Sequence, residues 1–195
     1  KKDKSIFNKY FPESYLKSLF VIRYSKKYLK ILKSENFQIL VLTKFHKEYL
    51  SNFGIQENRV HIFPNFLKIS NKQKEFKESN YIVYAGRISE EKGLKELIES
   101  FLNVNVNMIL KIIGEGPYLK TLRNKYPEKS IEFLGSIKNE KVHDLIKHSK
   151  AVVTATKLYE GQPTLLCEAS LHGIPSIFPN TGGISEFFPK EYDFS

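Results

Sequence analysis

Two glutamates, Glu160 and Glu168, stand eight positions apart in YEGQPTLLCEASLHGIP, residues 159–175, with Gly161 and Pro163 between them. A proline suits the first turn of a helix, where its missing N–H would be unpaired anyway. Leu165, Leu166, Cys167 and Ala169 then fill a helix that Gly173 ends. Glu160 falls just before that helix. Glu168 falls about one and a half turns inside it, at roughly 3.6 residues per turn. The break is expected to turn both carboxylates into one cleft, with the N–H groups of Thr164 and Leu165 aimed at whatever lies between. Such donors suit a phosphate, and carboxylates suit hydroxyl groups, as in sugar recognition. The alternative leaves Glu160 on a loop surface and pairs Glu168 with a surface lysine. A glutamate inside an apolar helical run weighs against that alternative.

Three other short stretches have chemical potential. GRISEEKG, 86–93, sets Arg87 and Lys92 just before a helical pattern. Helix N-termini favour anions and disfavour cations, so two cations there make sense if a phosphate joins them. The competing reading pairs Lys92 with Glu96 one turn on, and Arg87 with Glu90 or Glu91. GEGP, 114–117, is only part of a dinucleotide fingerprint, because Leu119 replaces the third glycine. It reads as a tight turn, with NAD binding the lesser option. PNTGGISE, 179–186, has Gly182 and Gly183 for close backbone approach.

These stretches need elements to position them. Residues 13–34 read as an amphipathic helix, 38–43 as a buried strand, 44–54 as a helix stopped by Gly54, and 59–65 as a strand ended by Pro64. Residues 67–80 lose apolar periodicity and read as a linker. Strands are then expected at 81–86, 108–114, 131–135, 151–156 and 175–179, with helices at 93–102, 117–126, 138–148, 163–172 and a short one at 183–188. Strand–helix alternation implies a parallel sheet covered on both faces: a doubly wound, Rossmann-like α/β fold. Ligands of such sheets bind outside the carboxyl ends of the strands, where all four stretches fall.

Composition narrows the field. The chain has 195 residues, 41% of them hydrophobic, enough for a folded core. No run approaches the roughly 18–20 apolar residues of a membrane span. The single cysteine, Cys167, excludes an internal disulfide and fits a reducing compartment. The net charge of +10 is concentrated: residues 1–75 hold 16 Lys/Arg against 6 Asp/Glu, and the remainder is balanced. No nucleic-acid motif accompanies the basic part, so nucleic acid is not an expected partner. The basic helix over 13–34 has two readings, a solvated face or a face laid on anionic lipid. His46, His61, His143 and His148 show no metal-ligand spacing, and His172 reads as packing.

Taken in order, VLTKFHKEYLSNFGIQENRVHIFPN, YAGRISEEKGLKELIESF, IIGEGPYLKTL, IEFLGSIKNEKV and EGQPTLLCEASLHGIPSIFPNTGGISE resemble glycosyltransferase family 4, retaining enzymes of the two-domain GT-B fold, across roughly residues 38–188. The resemblance implies that Arg87 and Lys92 contact the diphosphate of a nucleotide sugar donor. It places Glu160 beside the donor sugar and Glu168 on the ribose hydroxyls. Gly86, Gly161 and the backbone of Thr164 and Leu165 join the donor site, and Ile137 falls where backbone meets the nucleobase. It implies no metal and no cofactor, and an acceptor that is a glycan or is lipid-linked, in surface polysaccharide synthesis.

By the same resemblance, residues 1–66 match only the last part of an N-terminal, acceptor-side domain, 67–80 is the linker, and 81–195 is a donor domain incomplete at its end. A fragment of a longer protein is expected. The expected location is cytoplasmic, peripheral at the inner face of the membrane. Two other functions compete with this one: a sugar-nucleotide epimerase of the same fold, and a non-catalytic binding or scaffold fragment. The full set Glu160, Glu168, Arg87 and Lys92 argues against lost catalysis.

Overall fold

A computed structural model describes residues 14–34, 37–66, 79–104 and 106–189. Most of the linker expected over 67–80 lies outside the described residues. The chain divides into two compact units, Lys1–Val41 with Lys47–Ile62, and Leu42–His46 with Phe63–Ser195.

The first unit holds α1 (Tyr15–Ser34), β1 (Ile39–Val41), the greater part of α2 (Lys44–Asn52) and β2 (Val60–Ile62). β1 and β2 pair in parallel, Ile39 opposite Val60 and Val41 opposite Ile62. Parallel neighbours need a crossover, and the chain through α2 supplies it. Gly54 follows α2 with φ 81°, a left-handed position that glycine takes without strain. Arg59 secures the end of α1. Its guanidinium donates to the carbonyls of Leu32 (3.1 Å) and Lys33 (3.3 Å), and its Nε to that of Phe37 (3.2 Å). The last carbonyls of a helix lack intrahelical partners and carry partial negative charge, so a cation there answers both needs.

The second unit is built on β3 (Tyr81–Ala85), α3 (Leu94–Asn103), β4 (Ile109–Ile113), α4 (Leu119–Lys125), β5 (Ile131–Gly135), α5 (Asn139–Lys147), β6 (Ala151–Val153), α6 (Thr164–Leu171) and β7 (Ser176–Ile177). The five strands form one parallel sheet in the order β5-β4-β3-β6-β7. Strand alternation splits its core in two. On one face Ile82 and Tyr84 of β3 pack with Leu94 and Ile98 of α3 and Leu119 and Leu122 of α4. On the other, Val83 packs with Ile146 of α5 and Leu165, Leu166 and Ala169 of α6. This is the doubly wound α/β layer structure expected from the strand–helix alternation.

The strand order decides where a ligand can go. From β3 the chain steps outward through β4 to β5, then returns to β3's other side for β6 and β7. The loops after β3 and β6 therefore leave adjacent strands in opposite directions, opening a crevice at the topological switch point.

Several elements are shorter than their sequence patterns. The strand expected over 151–156 ends at Val153, although the Thr154 N–H still bonds the Ile177 carbonyl at 2.9 Å. Pro163 stands just outside α6, with φ −68° and ψ 112°, rather than in its first turn. Before α3 a single 3-10 turn, Glu90–Lys92, leads to Gly93 at φ 67°.

Ile98 is fully buried and Leu16 is exposed. Ile98→Ala is expected to cost about 2–5 kcal/mol, and Leu16→Ala about 0.5 kcal/mol or less. Urea unfolding midpoints of the two variants check the contrast.

Candidate functional site

The floor of the crevice is backbone packed on backbone. The Gly86 N–H donates to the Ile113 carbonyl at 3.0 Å, and the Ile88 N–H to the Glu115 carbonyl at 2.8 Å. Gly114 has φ 134°, and a Cβ on it would run into the Gly86 carbonyl; one on Gly116 would run into that of Ile88. The glycines of GEGP thus let the loops after β3 and β4 touch, which accounts for them without a dinucleotide. The buried Tyr84 hydroxyl donates to the Arg87 carbonyl at 2.9 Å and holds the first loop from below. Burial, with the charges of Glu160 and Glu91 adding to it, pushes this phenol well above its usual range.

Glu160 is held from several sides. Lys92 Nζ donates to Glu160 Oε1 in a partly buried ion pair. The buried Thr156 hydroxyl donates to the same oxygen at 3.1 Å and accepts the Leu158 N–H at 3.2 Å. The Gly183 N–H donates to the Glu160 carbonyl at 2.9 Å. Gly182, at φ 64°, lies so close to the Glu160 backbone that a Cβ would collide with it. The Gly-Gly pair therefore serves the glutamate's main chain.

The Gln162 amide makes a two-point bridge to Asn65, accepting its N–H at 2.6 Å and donating to its carbonyl at 3.1 Å. Sequence reasoning missed Thr156 and Gln162. A threonine four residues before a glutamate, or a glutamine in a loop, carries no periodic signal.

The cations divide differently from the local-pairing alternative. Lys92 bonds Glu160, 68 positions away, while Glu96 takes Lys157 at 2.6 Å. Glu91 accepts the Ser89 hydroxyl at 2.7 Å. That bond does most to hold its carboxyl below the usual range, and the Arg87 charge contributes less.

α6 brings the second carboxylate. The Pro163 carbonyl accepts the N–H groups of Leu166 (3.2 Å) and Cys167 (3.3 Å). Thr164 and Leu165 precede these, where a helix offers no intrahelical acceptor. Glu168 is partly buried one turn on, and burial raises its carboxyl pKa, the charge of His143 working the other way.

Two adjoining hollows result. The larger, about 420 Å³, is lined by Gly86, Arg87, Ile137, Thr164, Leu165 and Glu168 among others. The smaller, about 250 Å³, takes Lys92, Glu160, Gln162 and Pro163 and shares Gly86, Arg87, Thr164 and Leu165 with the first. The cleft expected for both glutamates thus has two adjoining parts with a common wall. Gly161 lines neither. It is buried, and a Cβ there would meet the His46 ring, so it gives close packing behind the site. Among the described residues, no group of three or more His, Cys, Asp or Glu is placed to hold a metal ion.

A parallel α/β layer with a charged crevice at its switch point defines a Rossmann-like domain, here of the GT-B glycosyltransferase architecture. The chain belongs to a family within it: the model described as Glycosyl transferases group 1 matches residues 65–193. Among curated relatives, it is 32% identical over 108 residues to the putative teichuronic acid biosynthesis glycosyltransferase TuaC of Bacillus subtilis, covering 55% of this chain and 26% of that one. It is 33% identical over 159 residues to the glycosyltransferase MJ1059 of Methanocaldococcus jannaschii, covering 71% and 38%. The chain thus spans well under half the length of either.

Solved structures agree on the fold. HepE of Anabaena in complex with UDP-glucose superposes with a TM-score of 0.74 at 16% identity, over 95% of this chain and 54% of that one. The lipopolysaccharide outer core galactosyltransferase WaaB in its apo form gives 0.65 at 22% identity, over 78% and 46%.

The raised carboxyl of Glu168 has a sign for stability. The folded chain holds this proton to higher pH than the unfolded chain does. Its contribution is therefore fully present below the unfolded pKa and is lost as pH rises through the folded value. Glu168→Gln is expected to raise the unfolding midpoint at neutral pH and to leave it unchanged well below the carboxylate range. Thermal melts at the two pH values check this.

Proposed function

We propose that this chain forms the donor side of a retaining glycosyltransferase. It would move a sugar from a nucleotide diphosphate sugar to a glycan or lipid-linked acceptor in surface polysaccharide synthesis. The observation that carries this reading is the sharing of one wall, Arg87 with the first residues of α6, by a hollow holding Glu168 and a hollow holding Glu160. A nucleotide sugar has the same plan: a nucleoside and a sugar on either side of a diphosphate.

The roles follow the chemistry of each compartment. Ile137 lies along the base and Glu168 accepts from the ribose hydroxyls. Arg87, Lys92 and the N–H groups of Thr164 and Leu165 take the diphosphate. Glu160 faces the sugar. Fixed cations and helix dipoles aimed at a departing diphosphate stabilise the charge that develops as the glycosidic bond breaks. Lys92 already touches Glu160, so a bound diphosphate would share or draw off that cation. In this reading residues 81–195 are the donor domain, 67–80 the linker and 1–66 the last part of an acceptor-side domain, and the work is done on the cytoplasmic side of a membrane. The names of TuaC and of the amylovoran biosynthesis glycosyltransferase AmsD of Erwinia amylovora, 26% identical over 152 residues, support the polysaccharide setting.

Calorimetric titration with UDP, GDP and ADP tests the reading. One of them is expected to bind well below about 1 mM, with Arg87→Ala or Lys92→Ala weakening it about tenfold or more, since one charge-assisted contact contributes about 1.5–3 kcal/mol. Failure of all three to bind, or variants that bind as well as the parent chain, would remove its basis.

A further inference from the structure

The glycines of GEGP answer the loop after β3, but the glutamate between them has a different neighbour. The Glu115 side chain turns to the loop after β5, where its Oε1 accepts the Ser136 N–H at 3.2 Å. The adjacent Gly114 N–H donates to the Gly135 carbonyl at 2.9 Å. That carbonyl and the Ser136 N–H are the two ends of one peptide group. A peptide group is planar and nearly rigid, so bonds at both ends fix its plane. GEGP thereby sets the direction in which the chain leaves β5.

The end of β5 is shaped for this hold. Ile112 pairs with Phe133 and Ile113 with Gly135, which leaves Leu134 as an extra residue in a bulge. Bulges break the ladder and re-aim the residues beside them. Gly135 then takes φ 68°, where glycine is unstrained. A Cβ on it would stand 3.1 Å from Glu115 Oε1, so the glycine also leaves room for the carboxylate. Beyond the pinned peptide come Ser136 and Ile137, which line the larger hollow with Glu115 and Glu168. Glu115 and Ser136 are both exposed, so water would satisfy that N–H in the absence of the carboxylate. What the carboxylate adds is a fixed direction. A loop held in place before a ligand arrives spares the ligand the cost of ordering it.

We propose that Glu115 is a positioning residue for the nucleobase. Its bond to Ser136 holds the backbone of Ser136 and Ile137 where the base lies along it. This rests on the transferase reading, in which the larger hollow takes the nucleoside, and it adds a residue that acts through the loop rather than on the ligand.

Calorimetric titration of the parent chain, Glu115→Ala and Glu115→Gln with UDP, GDP, ADP and pyrophosphate tests it. Glu115→Ala weakens the nucleoside diphosphate that binds the parent about tenfold, the size of one charge-assisted hydrogen bond. Glu115→Gln keeps an amide oxygen for the Ser136 N–H and stays within about threefold of the parent. Pyrophosphate has no base, and its affinity, read by competition with the bound nucleotide, is the same for all three chains. A general loosening of the fold would move nucleotide and pyrophosphate together. Glu115→Ala binding nucleotide like the parent, equal losses in the two variants, or a matching loss for pyrophosphate would overturn the proposal. So would a changed order of preference among the three nucleotides, which would assign Glu115 to the base itself. Circular dichroism of both variants is expected to match the parent, since the changed side chain is exposed. If none of the nucleotides binds the parent, the transferase reading fails and this inference with it. Nucleotide binding by the parent that Glu115→Ala leaves untouched removes this inference alone.

Discussion

The arrangement depends on one constraint, the position of β3 at the centre of a parallel sheet with β4 on one side and β6 on the other. Because crossovers run right-handed, the helices that follow β3 and β4 fall on one face and those that follow β5 and β6 on the other. The loops at the carboxyl ends of β3 and β6 must then part. That parting puts Arg87 and Lys92, just after β3, within reach of Glu160 and the start of α6. None of these residues is a sequence neighbour of its partner across the gap. The sheet alone brings them together.

Around the crevice, small residues are placed where backbones meet. Gly114 and Gly116 allow the loops after β3 and β4 to pack, Gly93 passes the Ala155 carbonyl, and Gly182 passes the main chain of Glu160. In each case a single Cβ would collide. The polar groups are then placed on a rigid frame. Tyr84 and Thr156, both buried, each give a hydroxyl to the loop or carboxylate above. The raised carboxyl of Glu168 shows the cost of this order. Its burial works against the charged form, a cost to the fold that a ligand hydroxyl would offset.

Much of this was legible in the residues, for identifiable reasons. The strands of the second unit show as short apolar runs and its helices as amphipathic repeats, so the alternation and the layer architecture follow. The loops at strand ends follow from the architecture, and so does the neighbourhood of Arg87, Lys92, Glu160 and Glu168. Strand ends were less legible: Thr154 to Thr156 suit a strand by type, yet the strand ends at Val153 and the Thr156 hydroxyl turns to Glu160. The partner of Lys92 was not legible either, because Glu96 one turn on looks as suitable as Glu160 until the sheet is formed. GEGP suggested a turn or a cofactor motif, whereas its glycines answer a neighbouring loop. Gly161 fits a ligand contact by position, but its space is filled by His46 behind the site. Thr156 and Gln162 gave no signal because their partners come from tertiary contact.

The most direct test of the central proposal, a donor nucleotide laid across the two hollows, is an amide NMR titration of the ¹⁵N-labelled chain with a nucleoside diphosphate. The account predicts the largest shifts at Gly86, Arg87, Ile137, Thr164 and Leu165, the residues at strand ends and at the start of α6. Shifts confined to other surfaces, such as the outer side of α4 around Lys120 and Arg123, would contradict it.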